Sequence, residues 1–210
     1  MIFLDIETSG LLPSRNGIWQ IGALDINNPS NTFLEEAKID ITDEASEKSL
    51  RYLNKTEDYI RDEKKQTQFD LMRNFFSWVN SDQKIKSVVC QNPKLDLSFI
   101  EFKAEKYMLS NPLHYRSFDL HSTAQMIYNK VNGCFLMETN SDMKGIHSGM
   151  GLTNVLEFCG MKDNRGAHNA LEDAKLGAEC FSRLVYGKNL LTEYSQYKIP
   201  GVLKQWYWNQ

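Results

Sequence analysis

Two acidic residues interrupt the first apolar run of the chain. Ile2, Phe3, Leu4 and Ile6 have the character of a buried strand, Asp5 and Glu7 lie among them, and the run stops at Ser9-Gly10. Strand side chains alternate faces, so the two acids project on the same side, about 7 Å apart at Cα for a rise of roughly 3.4 Å per residue. Desolvation and mutual repulsion penalise that arrangement unless a cation compensates, and hard divalent ions such as Mg²⁺ favour carboxylate oxygens. The plainer alternative is an exposed strand end whose acids face water, and so short a pattern leaves both open. Further along, Asp96 follows an apolar segment and a Gln91-Asn92-Pro93 turn, and His168 and Asp173 flank the start of a helix. Each has an ordinary reading by itself: a helix cap, a loop histidine and a dipole-stabilised surface acid.

These side chains need a scaffold. After a loop over residues 11–17, residues 18–26 return as a second strand through Ile18, Ile21, Ala23, Leu24 and Ile26. A turn over 27–31 leads to a third strand at 32–41, where Glu35, Glu36 and Lys38 suit a sheet edge. Strands in succession joined by short turns make an antiparallel meander. Residues 43–53 and 57–65 read as charge-rich helices. Residues 66–80 carry Phe69, Met72, Phe76 and Val79 near helical spacing, so that helix covers the sheet. Residues 85–90 form a short buried fourth strand, and Asp96 starts the helix marked by Leu97, Ile100, Ala104 and Met108. A fifth strand over 116–120 leads into a helix with Leu120, Ala124, Ile127 and Val131. Residues 132–151 show no clear period and read as a long irregular excursion, followed by a short amphipathic helix over 152–159. Asn169 with Glu172 resembles a capping box, which starts the last long helix at Ala170 and leaves His168 just outside it. Small residues on one face, Ala170, Ala174, Gly177 and Ala178, let that helix approach the sheet and bring Asp173 towards the first strand.

The composition allows one well-buried core: of 210 residues, 41% are hydrophobic and 24% charged. Cys90, Cys134, Cys159 and Cys180 form no C-x-x-C pair, so they read as reduced thiols rather than a structural zinc site. No apolar run approaches the ~20 residues of a membrane span, and the N-terminus lacks a basic region followed by an apolar one, so the expectation is a cytoplasmic protein without membrane association. A formal net charge of −3 argues against coating duplex DNA and leaves room for a local metal-dependent site.

Together, Asp5-Ile6-Glu7-Thr8-Ser9-Gly10-Leu11, then Asn92-Pro93-Lys94-Leu95-Asp96, then His168 with Asp173 after it resemble the three motifs of the DEDDh family of 3′-to-5′ exonucleases in order and approximate spacing. That family includes proofreading subunits of bacterial DNA polymerases, oligoribonucleases and RNase T. Ile18-Trp19-Gln20-Ile21-Gly22-Ala23 is similar to the family's second strand, and Asn169 stands where the sister DEDDy group carries Tyr. The resemblance makes residues 1–185 an exonuclease domain. Residues 186–210, with Trp206, Tyr207 and Trp208, become a C-terminal extension packed on that domain or used for partner contact.

The resemblance implies an α/β, RNase H-like fold, with a five-stranded mixed sheet of antiparallel then parallel strands flanked by helices. It implies a metal-dependent exonuclease that removes nucleoside 5′-monophosphates from the 3′ ends of single-stranded DNA or RNA. By the family pattern Asp5, Glu7 and Asp173 hold one ion, Asp5 helps hold a second, and Asp96 binds directly or through water. Two ions, Mg²⁺ or Mn²⁺, about 3.5 to 4 Å apart clamp the scissile phosphate in such a scheme. Four clustered carboxylates do need cations to neutralise them. His168 is similar to the family's general base, a role suited to a group that titrates near neutrality. Thr8, Ser9 and Leu11 match the stretch that meets the terminal nucleotide through backbone groups and an apolar wedge, and Asn92 matches a polar residue of the second motif. All but Leu11 are also ordinary turn residues. Pro93 and Leu95 depart from the small and aromatic residues often found there, which puts most doubt on Asp96. The implied partner is a single-stranded 3′ end, within a replication or repair complex. Two other readings remain: an exoribonuclease for short RNA, and a silent subunit that binds strand ends.

Overall fold

Alternation along β1 (Ile2–Thr8) separates core from site: Ile2, Leu4 and Ile6 enter the main core, while Phe3, Asp5 and Glu7 lie on the other face. The computed structural model describes residues 1–82, 84–139, 145–166 and 168–208, without the side chains of 205–208, so the aromatic side chains of Trp206, Tyr207 and Trp208 lie outside the described residues. The chain divides into two units, Met1–Phe118 with Arg165–Lys175, and Asp119–Asn164 with Leu176–Gln210.

In the first unit, β2 (Ile18–Asp25) pairs antiparallel with β1, setting Gly22 opposite Asp5 and Gln20 opposite Glu7. β3 (Asn28–Lys38) pairs antiparallel with β2. The connecting turn is tighter than the expected 27–31, because Asp25 Oδ1 accepts the Asn27 N–H at 3.0 Å and the strand resumes at Asn28. The helix expected from residue 43 begins only with α1 (Glu47–Leu53), since the Ser46 N–H is committed to the Ser9 carbonyl at 2.7 Å. After α2 (Glu57–Ile60), the short β4 (Gln66–Thr67) joins the end of β3 in parallel. α3 (Gln68–Asn80), capped by the Thr67 hydroxyl, puts Leu71, Met72, Phe75, Phe76 and Val79 into the core beside β1. Burying such a side chain fully is worth roughly 1.5–3 kcal/mol. β5 (Val88–Cys90) runs parallel to β1, and α4 (Pro93–Lys106) packs Phe99, Ile100 and Ala104 on the same core.

With β6 (Phe118–Asp119) the sheet order is β4-β3-β2-β1-β5-β6, a mixed sheet of six strands rather than the expected five. The extra strand is β4, whose two residues read in sequence as the start of α3. The site faces lie at the carboxyl ends of β1 and β5, where ligands gather in sheets of this kind.

The second unit holds α5 (Leu120–Asn132), the antiparallel β7 (Met137–Thr139) and β8 (Ile146–Ser148), α6 (Leu152–Phe158) and α8 (Gly201–Trp208). α7 (Ala170–Tyr186) contributes its first residues to the first unit and the rest to the second. The expected irregular excursion thus contains a hairpin. Its strands are short and mostly exposed, so they carry no alternation, and Gln125 ties their start by bonding both the N–H and the carbonyl of Leu136.

Candidate active site

The first turn of α7 is fixed by three features of the sequence, the first two of which hold it against β2. Gly22 leaves room for it: a Cβ there would stand 2.1 Å from the Ala170 carbonyl carbon and the Leu171 nitrogen. Gln20 Oε1 accepts the Ala170 N–H at 2.7 Å while its Nε2 donates to Glu36 Oε1 at 2.9 Å. Asn169 Oδ1 accepts the Leu171 and Glu172 N–H groups, each at 3.1 Å. The otherwise unpartnered donors of the helix start are thereby satisfied. The fixed helix start brings Asp173, one turn in, to Glu7.

Glu7, His168 and Asp173 offer ligand atoms that all lie within 4.8 Å of one another. His168 Nδ1 is 3.3 Å from Asp173 Oδ2, and Arg165 Nη1 donates to Asp173 Oδ1 at 3.0 Å. The Tyr52 ring, from α1, lies over the imidazole at a centroid distance of 4.5 Å and 33° between planes. Asp96 is not the cap of its helix: Asn92 holds that position, Pro93 opens α4, and Asp96 sits buried in the first turn. Backbone groups of Asp96 and Ile6 pull its carboxyl down against burial, and its own N–H bonds the Asn92 carbonyl at 3.4 Å. β5 stops at Cys90 while β1 continues to Thr8, which leaves the Ile6 donor for Asp96.

Burial first, then the charges of Asp173 and Asp96, push the Glu7 carboxyl from 4.5 up to about 8, against the opposing pull of Lys55 and Arg165. Burial also raises Asp96 to about 7. Asp5 is raised well above its ordinary value by burial and then by Asp96, Glu7 and Asp173. Acids that suppress one another's ionisation mark a pocket short of positive charge. Carboxylate oxygens and an imidazole nitrogen at this spacing fit a divalent cation.

The four expected substrate-contact positions differ in what they present. Leu11 is 71% exposed. Asn92 is exposed, and its side chain makes no capping bond. The buried Thr8 hydroxyl donates to the Gly10 carbonyl at 2.7 Å. Ser9 is wholly buried: its hydroxyl donates to the Glu44 carbonyl and accepts from the Gly17 N–H, and its own N–H and carbonyl bond Gly17 and Ser46. Sequence reasoning did not single out Tyr52 or Arg165, and neither carries a local signal. Gln20 and Gly22 belong to the second-strand motif, but their use depends on a helix some 150 residues away.

Residues 2–181 match the RNase T family model, described as Exonuclease. No curated protein sequence matches the chain. Among solved structures, the nuclease domain of 3′hExo, a DEDDh family member bound to rAMP, is 15% identical with a TM-score of 0.65, covering 95% of this chain and 94% of that one. Cell-death related nuclease 4 (CRN-4) is 14% identical with a TM-score of 0.66, covering 90% and 64%. E. coli Exonuclease I in complex with a dA16 oligonucleotide is 14% identical with a TM-score of 0.65, covering 89% of this chain and 41% of that one. At these identities the likeness is one of fold.

Proposed function

The chain belongs to the RNase T exonuclease family, and on that basis we propose that it is a DEDDh 3′-to-5′ exonuclease that removes nucleoside 5′-monophosphates from single-stranded DNA or RNA with two divalent ions, Mg²⁺ or Mn²⁺. Asp5, Glu7 and Asp173 would hold one ion, and Asp5 with Asp96 would serve the second. When bound, the ions supply electrostatic stabilisation to the attacking and leaving oxygens of an in-line displacement.

His168 takes the proton from the attacking water. Asp173 orients its Nδ1 and Tyr52 covers one face of its ring. Leu11 wedges against the terminal nucleotide, and Thr8 and Asn92 line its approach. Ser9 serves through its internal bonds, which hold the turn after Glu7 in place.

The observation that carries this reading is the approach of Glu7, His168 and Asp173, whose ligand atoms lie within 4.8 Å of one another, beside the buried Asp96 and Asp5, whose charges raise neighbouring carboxyls. The experiment is to incubate 5′-labelled single-stranded DNA and matched RNA with Mg²⁺ or Mn²⁺. Shortening from the 3′ end that is lost in Asp5→Ala is the expected result, and the relative rates decide between DNA and RNA. No shortening, or equal activity in Asp5→Ala, refutes the reading. Strand-end binding in EDTA without any cleavage would favour a silent end-binding subunit.

A further inference from the structure

Arg165 makes the contact in this pocket that the proposed chemistry does not use. Its Nη1 lies 3.0 Å from Asp173 Oδ1, with side-chain exposures of 14% and 7%. His168 takes the other carboxylate oxygen. Both oxygens of a carboxylate assigned to a divalent ion are therefore engaged by the chain itself. A guanidinium and a metal ion satisfy the same need, compensation of a buried anion, and they compete for the same lone pairs.

Lys55 offers a contrast. It also opposes the raised pKa of Glu7, yet its ammonium stands over the Tyr59 ring at 4.3 Å. Of the two, it is Arg165 that donates to one of the acids, Asp173. The next residue, Gly166, has open space around it, since a Cβ there would meet nothing within 4 Å.

We propose that Arg165 is the internal counterion of Asp173, yielding that carboxylate to a divalent ion and binding a phosphate of the substrate strand through its guanidinium fork. The inference rests on the metal-dependent reading above. Displaced from Asp173, the fork still lies within a side chain's reach of any phosphate gathered at the same carboxylates. Planar, bidentate recognition of phosphate is what arginine does better than lysine.

The test pairs Mn²⁺ binding by calorimetry, without nucleic acid, with turnover of a single-stranded oligonucleotide at saturating Mn²⁺. Arg165→Gln should bind Mn²⁺ about 3- to 10-fold more tightly, because the competing cation is gone. Its kcat should fall about 10- to 100-fold, because a charged hydrogen bond to phosphate is lost. Arg165→Lys keeps the charge without the fork and should lose turnover while gaining less Mn²⁺ affinity than Arg165→Gln. Lys55→Met, a through-space control, should gain less affinity than Arg165→Gln. Unchanged or weaker Mn²⁺ binding in Arg165→Gln, an equal gain in Lys55→Met, or unchanged turnover overturns the proposal. Should Arg165→Gln fail to fold, Arg165→Lys decides by its turnover. A wild type that neither binds Mn²⁺ nor shortens the strand sinks the metal-dependent reading itself, and that outcome shows before any Arg165 variant is made.

Discussion

Asp5 and Gly22 face each other across the β1–β2 ladder, and the space where Gly22 would carry a side chain is filled by the backbone of Ala170 and Leu171. A close approach of helix to sheet thus falls at the register position of a candidate metal ligand. Gly22→Ala would set a Cβ 2.1 Å from backbone atoms that have no flexible end to move aside. The first turn of α7 must then lift, taking Asp173 away from Glu7. The expected cost in stability is about 1–3 kcal/mol, as for other overpacked sites. Activity should fall more steeply, about 100-fold, since an ångström of misplacement is enough for that. Urea melts and a 3′-end shortening assay on the same preparation would separate the two effects.

The acid cluster predicts an unusual pH dependence. Glu7 is raised from 4.5 to about 8, so between those values the folded chain holds a proton that the unfolded chain has released. Stability linked to Glu7 is therefore full below about pH 4.5 and is lost as the pH rises through about 8. Asp96 adds to the same trend up to about 7. Thermal melts in EDTA should show wild type losing stability relative to Glu7→Gln as the pH rises from 5.5 to 8.5, about 1.4 kcal/mol for each unit of differential pKa before screening. Saturating Mn²⁺ should stabilise the wild type most at the upper end of that range, where the ligands no longer need to shed protons. A flat difference between the two proteins would mean that water reaches Glu7.

What could be read in advance followed the range of the forces involved. β1 and its two acids are legible because alternation is local, and the start of α7 at Ala170 is legible because Asn169 caps it two and three residues on. The position of Asp96 was less so. Its sequence says helix start, whereas its use depends on β5 ending before β1 does and freeing the Ile6 N–H. β4 escaped notice because two residues carry no period, and the β7–β8 hairpin because its first strand is exposed throughout. Tyr52 lies on a charge-rich helix with nothing to mark it, and only the fold sets it over His168.

That stacking can be tested on its own. Tyr52→Phe keeps the ring and should leave turnover close to wild type. Tyr52→Ala removes it and frees the imidazole to rotate away from Asp173. Aromatic pairs of this geometry contribute about 0.5–1.5 kcal/mol, so kcat should drop about 2- to 10-fold in the alanine variant. Equal losses in both variants would assign the effect to the hydroxyl instead of the ring.

The turn after Glu7 depends on a buried ion pair that lies well away in sequence. Lys103 Nζ sits 2.9 Å from both carboxylate oxygens of Asp43, and Gln68 Nε2 donates to Asp43 Oδ2 at 2.6 Å. Gln68 in turn accepts the Ile18 N–H at 2.7 Å, which ties α3 and α4 to the start of β2. Glu44, next to Asp43, takes the Ser9 hydroxyl at 2.6 Å. Lys103 is wholly buried, and burial lowers its pKa against the opposing pull of Asp43, so the ammonium is tolerated only because of its partner. Asp43→Ala should therefore cost about 3–5 kcal/mol, the usual result of leaving one buried charge uncompensated. Lys103→Met should cost less, because Asp43 keeps Lys106 at 3.4 Å, and the double variant should recover part of the Asp43→Ala loss, because no buried ammonium is then left uncompensated. Chemical denaturation of the wild type, both single variants and the double variant would measure the coupling. Strict additivity would show that the two charges do not stabilise each other. In Asp43→Ala the 3′-end activity should also fall more than stability alone explains, because Ser9 loses the segment that anchors it beside Glu7.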